Sequence, residues 1–575
     1  MKKIVQLTML MITALGLWSA PALAQSPPVR RVNVPHFEGG IAAAEQAIFW
    51  LGQVDSTANY ADVRLGYTDE ALQVDVHIFD RYLWYDAGQP PDPAAFTAWD
   101  TVGLYLHLDG NQGPAPTLNS YRFRGQLNHW QDRADYQTAD RGNGAGWSSA
   151  AVAFSTASGW RGEGLNNGAE ARGWTMTFTI PFTNLGLSGP PDVGTVWGLG
   201  VVVHDRDDAP GTAIPTRTWP ETLLDTQPGT WGQLHFGLPA YTAPPATNKQ
   251  TLTIRRGLNA TDVPDAHVGG HTTCGDPFNP NFFEGWGDAN YAGYTQVNVQ
   301  NQGDVADWPC YSKYYVTFPL TALPSNQAII SATFTLYQFG NAGGPGQEPQ
   351  PSLIQAHAIT EAWQESSLTW NNAPLAAENI AQTWVSPLDS FPGWPGVPGA
   401  WDVGAAVAAA YAAGQPLRLA LYGADTAYHS GKFFTSSDID DWNAAGRPTL
   451  RVQFGESVGY YLTVTPNTQR IEPGSSTAFD IQIQHTGGFT EAVAVQVGQA
   501  SPPGLTVTAS PAPVAFSPPG GTVGVTVTDG HAPNFVGGLW YTVPVTTSSD
   551  GGVEQTTALK ILVGGQQVYL PVMLK

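Results

Sequence analysis

Along most of this 575-residue chain, apolar and polar positions alternate with a period of two. This is the pattern of a strand buried on one face and wet on the other. Leu72, Val74, Val76 and Ile78 alternate with Gln73, Asp75 and His77; Val102, Leu104, Leu106 and Leu108 alternate with Gly103, Tyr105 and His107. Trp174, Met176, Phe178 and Ile180 form a third row between Thr175, Thr177 and Thr179. Further rows follow at Tyr314/Val316/Phe318, Ala332/Phe334/Leu336, Leu417/Leu419/Leu421 and Leu450/Val452/Phe454. Shorter valine-rich rows come last, at Phe479/Ile481/Ile483, Val493/Val495/Val497 and Val523/Val525/Val527. Inward apolar and outward polar rows of this kind build antiparallel sheets over shared cores. One helix interrupts them, with Asp402 as N-cap, Val403, Val407 and Tyr411 on one face, and Gly414 as the stop.

Composition sharpens this into a fold class. With 64 Gly, 46 Pro and 13% charged residues, the chain suits short strands and tight turns, since both residues penalise helix interiors. The reading is all-β, three tandem β-sandwich domains after an N-terminal signal peptide. Lys2 and Lys3, an apolar run from Leu7 to Trp18 and the small-residue site Ala22-Leu23-Ala24 mark residues 1–24 as that peptide. A retained anchor is the alternative, though the run is shorter than the roughly 20 residues of a membrane span, and no span is expected in the mature chain. Domains are expected at 32–240, 251–456 and 457–575, with a proline-containing linker at 241–250 and a short apolar tail, Val568 to Lys575, that is either a last strand or a sorting tail.

A net charge of −22 repels phosphate backbones, so nucleic acid is not expected as a partner. Export permits a disulfide between the two cysteines, Cys274 and Cys310; two buried thiols are the alternative.

Two family resemblances then appear. The segment Trp363-Gln364-Glu365-Ser366-Ser367-Leu368-Thr369-Trp370-Asn371-Asn372-Ala373-Pro374 resembles the central motif of the DNRLRE domain, which is similar to carbohydrate-binding module family 96. The likeness runs from Asp265-Ala266-His267-Val268 through Trp401-Asp402-Val403 to Arg447-Pro448-Thr449-Leu450-Arg451-Val452. It departs from the pattern in an enlarged stretch from Gly269 to Trp308. The first domain, through Asp62 to Leu72, Phe79-Asp80, Trp99 to Leu106, Trp197-Gly198-Leu199-Gly200, His204-Asp205-Arg206-Asp207 and Thr230 to Leu234, resembles carbohydrate-binding module family 9 and DOMON-like domains. The last domain, with Pro502-Pro503-Gly504-Leu505-Thr506-Val507, looks immunoglobulin-like. Some DOMON-like relatives bind haem, but Met176 is the first domain's only methionine and belongs to its inward row, so no haem is expected, and no nucleotide.

The resemblances imply a secreted, non-catalytic protein that binds polysaccharide at the cell surface or in the extracellular matrix. A structural stalk and a carbohydrate-active hydrolase are the alternatives. Sugars stack on aromatic faces, and Trp84, Trp99, Trp130 and Trp219 stand in loop-like context, although a rim residue sealing the core is the stronger reading for each. Trp363 and Trp370 are either framework or ligand contacts. Calcium suits the carboxylates Asp80, Asp100, Asp205 and Asp207 at strand ends, although no EF-hand loop is present. A hydrolase would need two carboxyls flanking the bond, for which Glu361 and Glu365 are the candidates. No serine elbow, zinc helix, phosphate loop or dinucleotide fingerprint occurs.

Overall fold

The protein is described from a computed structural model over residues 29–88, 90–129, 133–271, 282–344, 346–486, 489–510, 514–531, 538–550 and 552–564. The expected signal peptide, Trp130, Cys274 and the apolar tail lie outside these residues.

The alternating rows become two-layer sandwiches. In the first, an eight-stranded sheet runs Arg31–Val34, Gly232–Phe236, Val196–His204, Thr101–His107, Ser120–Gln126, Gln137–Gly142 and Trp147–Ser149, with Arg217–Trp219 also pairing with Val196–His204. It faces a five-stranded sheet ordered Ala47–Gly52, Tyr60–Tyr67, Ala71–Phe79, Ala171–Pro181 and Ser155–Gly162. Leu72, Val74, Val76 and Ile78 lie in register with Ile180, Phe178, Met176 and Trp174 across one strand pair, and all eight are fully buried. Val102, Leu104 and Leu106 close the core from the other sheet.

The second sandwich stacks a six-stranded sheet, built on the long strand Gln327–Asn341, against a five-stranded sheet ordered Asp265–Gly269, Ser312–Phe318, Leu417–Gly423, Ser352–Ala358 and Glu378–Val385. The expected helix is present as Gly404–Ala412, one residue later than expected: Val403 and not Asp402 is the N-cap, the Asp402 side chain accepts from Gly404 N at 2.9 Å, and Gly414 supplies the left-handed stop at φ 63°. The expected linker at 241–250 is shorter. Ala246–Arg255 is already a strand, paired with Thr449–Ser457, and its polar composition is that of a sheet edge facing water.

These two sandwiches are fused. Strand Ala47–Gly52 reads Ala-Ile-Phe-Trp-Leu-Gly, apolar on both faces, so Phe49 and Leu51 enter the first core while Ile48 and Trp50 enter a separate cluster shared with the second domain. There Phe79 stacks on Trp308 at 5.2 Å, Tyr60 meets Trp370 at 4.8 Å, and Trp50 stands edge-on to Tyr422 at 5.6 Å. Polar contacts ring the cluster. Arg30 donates to Glu221 at 2.6 Å and to Glu361 at 2.5 Å, and Asn33 and Asn379 bond reciprocally through side chain and backbone at 2.7–3.0 Å.

The third sandwich follows through a single residue, Val458, between strands Thr449–Ser457 and Gly459–Thr465. It pairs a four-stranded sheet with a five-stranded one over a core that includes Phe479, Ile481, Val523, Val525 and Val527.

Candidate functional site

Strand ends bring three of the four expected metal ligands together. Asp80 follows strand Ala71–Phe79 in one sheet, whereas Asp100 precedes Thr101–His107 and Asp205 follows Val196–His204 in the other. Because His204 and Thr101 are register partners, Asp205 and Asp100 leave the sheet side by side. One oxygen from each of Asp80, Asp100 and Asp205 lies within 4.8 Å of the others. Asp80 accepts from Tyr82 N at 3.0 Å and Trp174 Nε1 at 3.1 Å; Asp100 accepts from Trp84 N at 2.7 Å and Arg206 N at 2.9 Å. Both oxygens of Asp205 are buried, and the nearby Asn59 side chain and Arg206 backbone N–H only partly offset the rise of its pKa. Burial and then Asp207 push Asp205 up to about 8. Burial, followed by the charge of Asp205, pushes Asp80 and Asp100 well above the usual carboxylate range. Asp207, raised to about 6 by burial and then Asp208, is not one of the three, though its charge acts on each of them. An oxygen-rich, charge-frustrated trio of this kind fits a hard cation such as calcium, which Asp80, Asp100 and Asp205 would hold with one oxygen each.

The expected aromatic set divides. Trp219 is a correction: it is 1% exposed and stacks on Phe49 at 4.1 Å, a core residue with no face left for a ligand. Its Gly-Pro-rich surroundings hide the short strand Arg217–Trp219, which turns the ring inward. Trp99 and Trp84 are half-buried, and the Arg206 guanidinium lies 3.9 Å from the Trp99 ring centre and 6.0 Å from that of Trp84. One face of Trp99 is thereby taken by the loop that carries Asp205.

A different surface of the same domain gathers groups that the sequence reading passed over. On the outer face of the eight-stranded sheet, Arg122 and Arg124 alternate about the buried Phe123. Both guanidinium groups donate to Asp140, at 2.9 and 3.1 Å. Arg122 also donates to Asp225 at 3.1 Å and lies 5.1 Å from the Trp147 ring centre. Trp147, half-buried, donates from Nε1 to Asp225 at 2.8 Å and stands over Tyr105 at 5.9 Å. Trp231 runs parallel to it at 6.2 Å. Arg124 Nε and Thr138 Oγ1, from register partners on adjacent strands, are buried without a hydrogen-bond partner. His204, on this face beside the arginines, is pulled down to about 4 by burial and then by Arg124. The available signal was the Arg-x-Arg alternation itself, which sets two of only 25 basic residues on one sheet face.

The carboxyls considered for hydrolysis are placed otherwise. Glu361 is committed to Arg30 between the domains. Glu365 accepts from Gly293 N at 3.2 Å, and burial and then the neighbouring Asp438 push its carboxyl up. The two are thus held by different partners, Arg30 for one and the Gly293 N–H for the other. In the same motif, Trp370 is buried at the domain junction, where it serves as framework.

Comparison with known proteins shows what parts of the chain are similar to. A search of the curated proteins returns no match. Among solved structures, a carbohydrate-binding module family 9 from Caldicellulosiruptor kristjanssonii in complex with cellotriose aligns at 16% identity, covering 37% of this chain and 95% of that one, with a TM-score of 0.27. The same module in complex with glucose aligns at 17% identity, covering 37% of this chain and 100% of that one, with a TM-score of 0.27. Surface layer protein SbsC, domains 1–6, aligns at 10% identity over 87% of this chain and 53% of that one, with a TM-score of 0.14. At these scores the alignments carry no argument by themselves. The family model of carbohydrate-binding module family 96 matches residues 284–446, within the second sandwich, as the motif from Trp363 to Pro374 implied.

Proposed function

We propose that this is a secreted, non-catalytic polysaccharide-binding protein that works at the cell surface or in the extracellular matrix, with its first two sandwiches as the binding unit. One observation carries the reading for the first domain: a half-exposed tryptophan, Trp147, set over a face of Tyr105, Arg122, Arg124, Asp140 and Asp225. The exposed part of the ring offers an apolar surface to the C–H side of a sugar, and Arg122 and the exposed Asp225 beside it offer hydrogen bonds to its hydroxyls. The match of residues 284–446 to a carbohydrate-binding family supports the same ligand class for the second domain. Asp80, Asp100 and Asp205 would hold calcium and so fix the loop ends of the first sandwich. A disulfide between Cys274 and Cys310 belongs to the same extracellular reading.

The test is a glycan array of plant, algal and bacterial polysaccharides probed with the full chain, with and without a calcium chelator. The chain is expected to bind at least one polysaccharide, Trp147→Ala to weaken that binding tenfold or more, and the chelator to lower the melting temperature. Absence of binding across the panel would sink the proposal.

A further inference from the structure

The second sandwich carries an aromatic cluster that the domain junction does not use. Its five-stranded sheet presents Ala266, Tyr315, Leu353 and Tyr422 to the first domain, which leaves the outer face of the six-stranded sheet on the opposite side. Phe339 lies on that outer face, in the row that alternates with the buried Leu336 and Gln338. Trp394 comes from the loop before strand Val397–Asp402, Phe391 from the same loop, and Trp442 from the turn Asp441–Gly446. The rings meet in sequence: Phe339 to Trp394 at 5.7 Å, Phe391 to Trp394 at 5.1 Å, and Trp394 to Trp442 at 5.0 Å. They are nonetheless open to water, at 57% exposed for Phe391, 44% for Trp394 and 60% for Trp442. Burying such rings is what ordinarily stabilises a fold, so a cluster of them assembled at the surface from three segments marks a recognition site.

Its surroundings select the occupant. The turn that bears Trp442 also supplies Asp441, which accepts from Arg447 at 2.8 Å. With Arg256, Ser437, Asp438 and Arg447, Asp441 lines an open hollow of about 210 Å³. An apolar protein segment laid on the rings would strip water from the Arg447–Asp441 and Arg256–Asp438 pairs and offer no polar group in its place. An anionic membrane would face a chain of net charge −22. A sugar satisfies both parts, its C–H face on the rings and its hydroxyls on the carboxylates and guanidinium groups.

We propose that Phe339, Phe391, Trp394 and Trp442 form a second carbohydrate platform, on the second domain, for the pyranose rings of a neutral polysaccharide. The proposal rests on the polysaccharide reading above and gives it a second site. The two sites add through effective concentration when one polymer reaches both.

The experiment is affinity electrophoresis of the full chain in gels containing β-glucan, xyloglucan or galactomannan. It compares Trp147→Ala, the double variant Trp394→Ala/Trp442→Ala and the triple variant, with sedimentation of each and unchanged far-ultraviolet dichroism as the folding check. The double variant is expected to lose tenfold or more in affinity, Trp147→Ala to be weakened likewise but still measurably retarded through the remaining platform, and the triple variant to migrate as in a blank gel. If the wild type is retarded and the double variant is retarded equally, the platform is overturned and the polysaccharide reading survives. A wild type that is never retarded overturns both. If the wild type is a dimer that the double variant dissociates, with retardation unchanged, the rings are a self-association surface and the platform is overturned.

Discussion

Lys313 is a lysine with no carboxylate on its ammonium. It is fully buried between the first two domains, with Nζ 3.6 Å from the Trp370 ring centre, 4.5 Å from Trp50 and 4.6 Å from Tyr60. It donates to Tyr60 Oη at 3.1 Å, and that hydroxyl in turn donates to Asp62 at 2.7 Å. Burial pulls the lysine well below its ordinary value, with Asp62 opposing. His357, edge-on to Trp50 at 5.0 Å and buried with both ring nitrogens unpartnered, is pulled down to about 3 by burial and then by Lys313. Its folded value thus lies below the unfolded 6.5, so the unfolded chain binds the extra proton, and stability drains away as pH falls from 6.5 toward 3. The melting temperature of the wild type minus that of His357→Phe is therefore expected to be flat above pH 7 and to fall steadily down to pH 4. A difference independent of pH would remove this account. At this scale the sequence showed Asp80, Asp100 and Asp205 as strand-end carboxylates, because each closes a visible apolar row. It could not show that Trp219 faces inward, because a three-residue strand is too short to display a period.

The segment from Trp363 to Pro374 shows how an irregular element earns its place. Trp370 is 2% exposed and touches rings of both domains. The next residue, Asn371, accepts from Val54 N at 2.8 Å and donates to Val54 O at 3.0 Å, copying a strand pairing across the junction. Gly287 is required beneath it, since a Cβ there would come within 2.5 Å of the Asn371 side chain. Trp370→Ala is expected to destabilise the fused pair by about 3–5 kcal/mol. Trp363→Ala, at a half-buried position, is expected to lose clearly less, with guanidinium titration as the measure. Elements with regular periods were legible from residue order, down to the helix between Asp402 and Gly414. The edge strand Ala246–Arg255 was not, since an exposed edge and a linker have the same polar composition.

At the scale of the whole molecule, the first two sandwiches share an aromatic core and the third joins through one residue. Calorimetry is expected to show one transition for the fused pair and a separate one for the third domain, and Trp370→Ala to lower only the former. A single transition for the entire chain would contradict this division. The three sandwiches were legible because each core row stands out against its polar row. The fusion was not, because it is written in the outward rows: Ile48 and Trp50 turn a strand apolar on both faces, a pattern that an isolated sandwich has no use for. Two of the domains also repeat one topological device. In the first, the entering strand Arg31–Val34 lies parallel to Gly232–Phe236, near the point where the chain leaves. In the third, Thr468–Ile471 lies parallel to the last described strand, Glu554–Val563. When either domain is pulled apart by the two ends of its chain, the pull slides the parallel pair along its length. The rungs of the ladder then carry the load together and do not peel apart one by one. Each of these domains gains from that geometry a resistance to tearing that its thermal stability alone would not reveal.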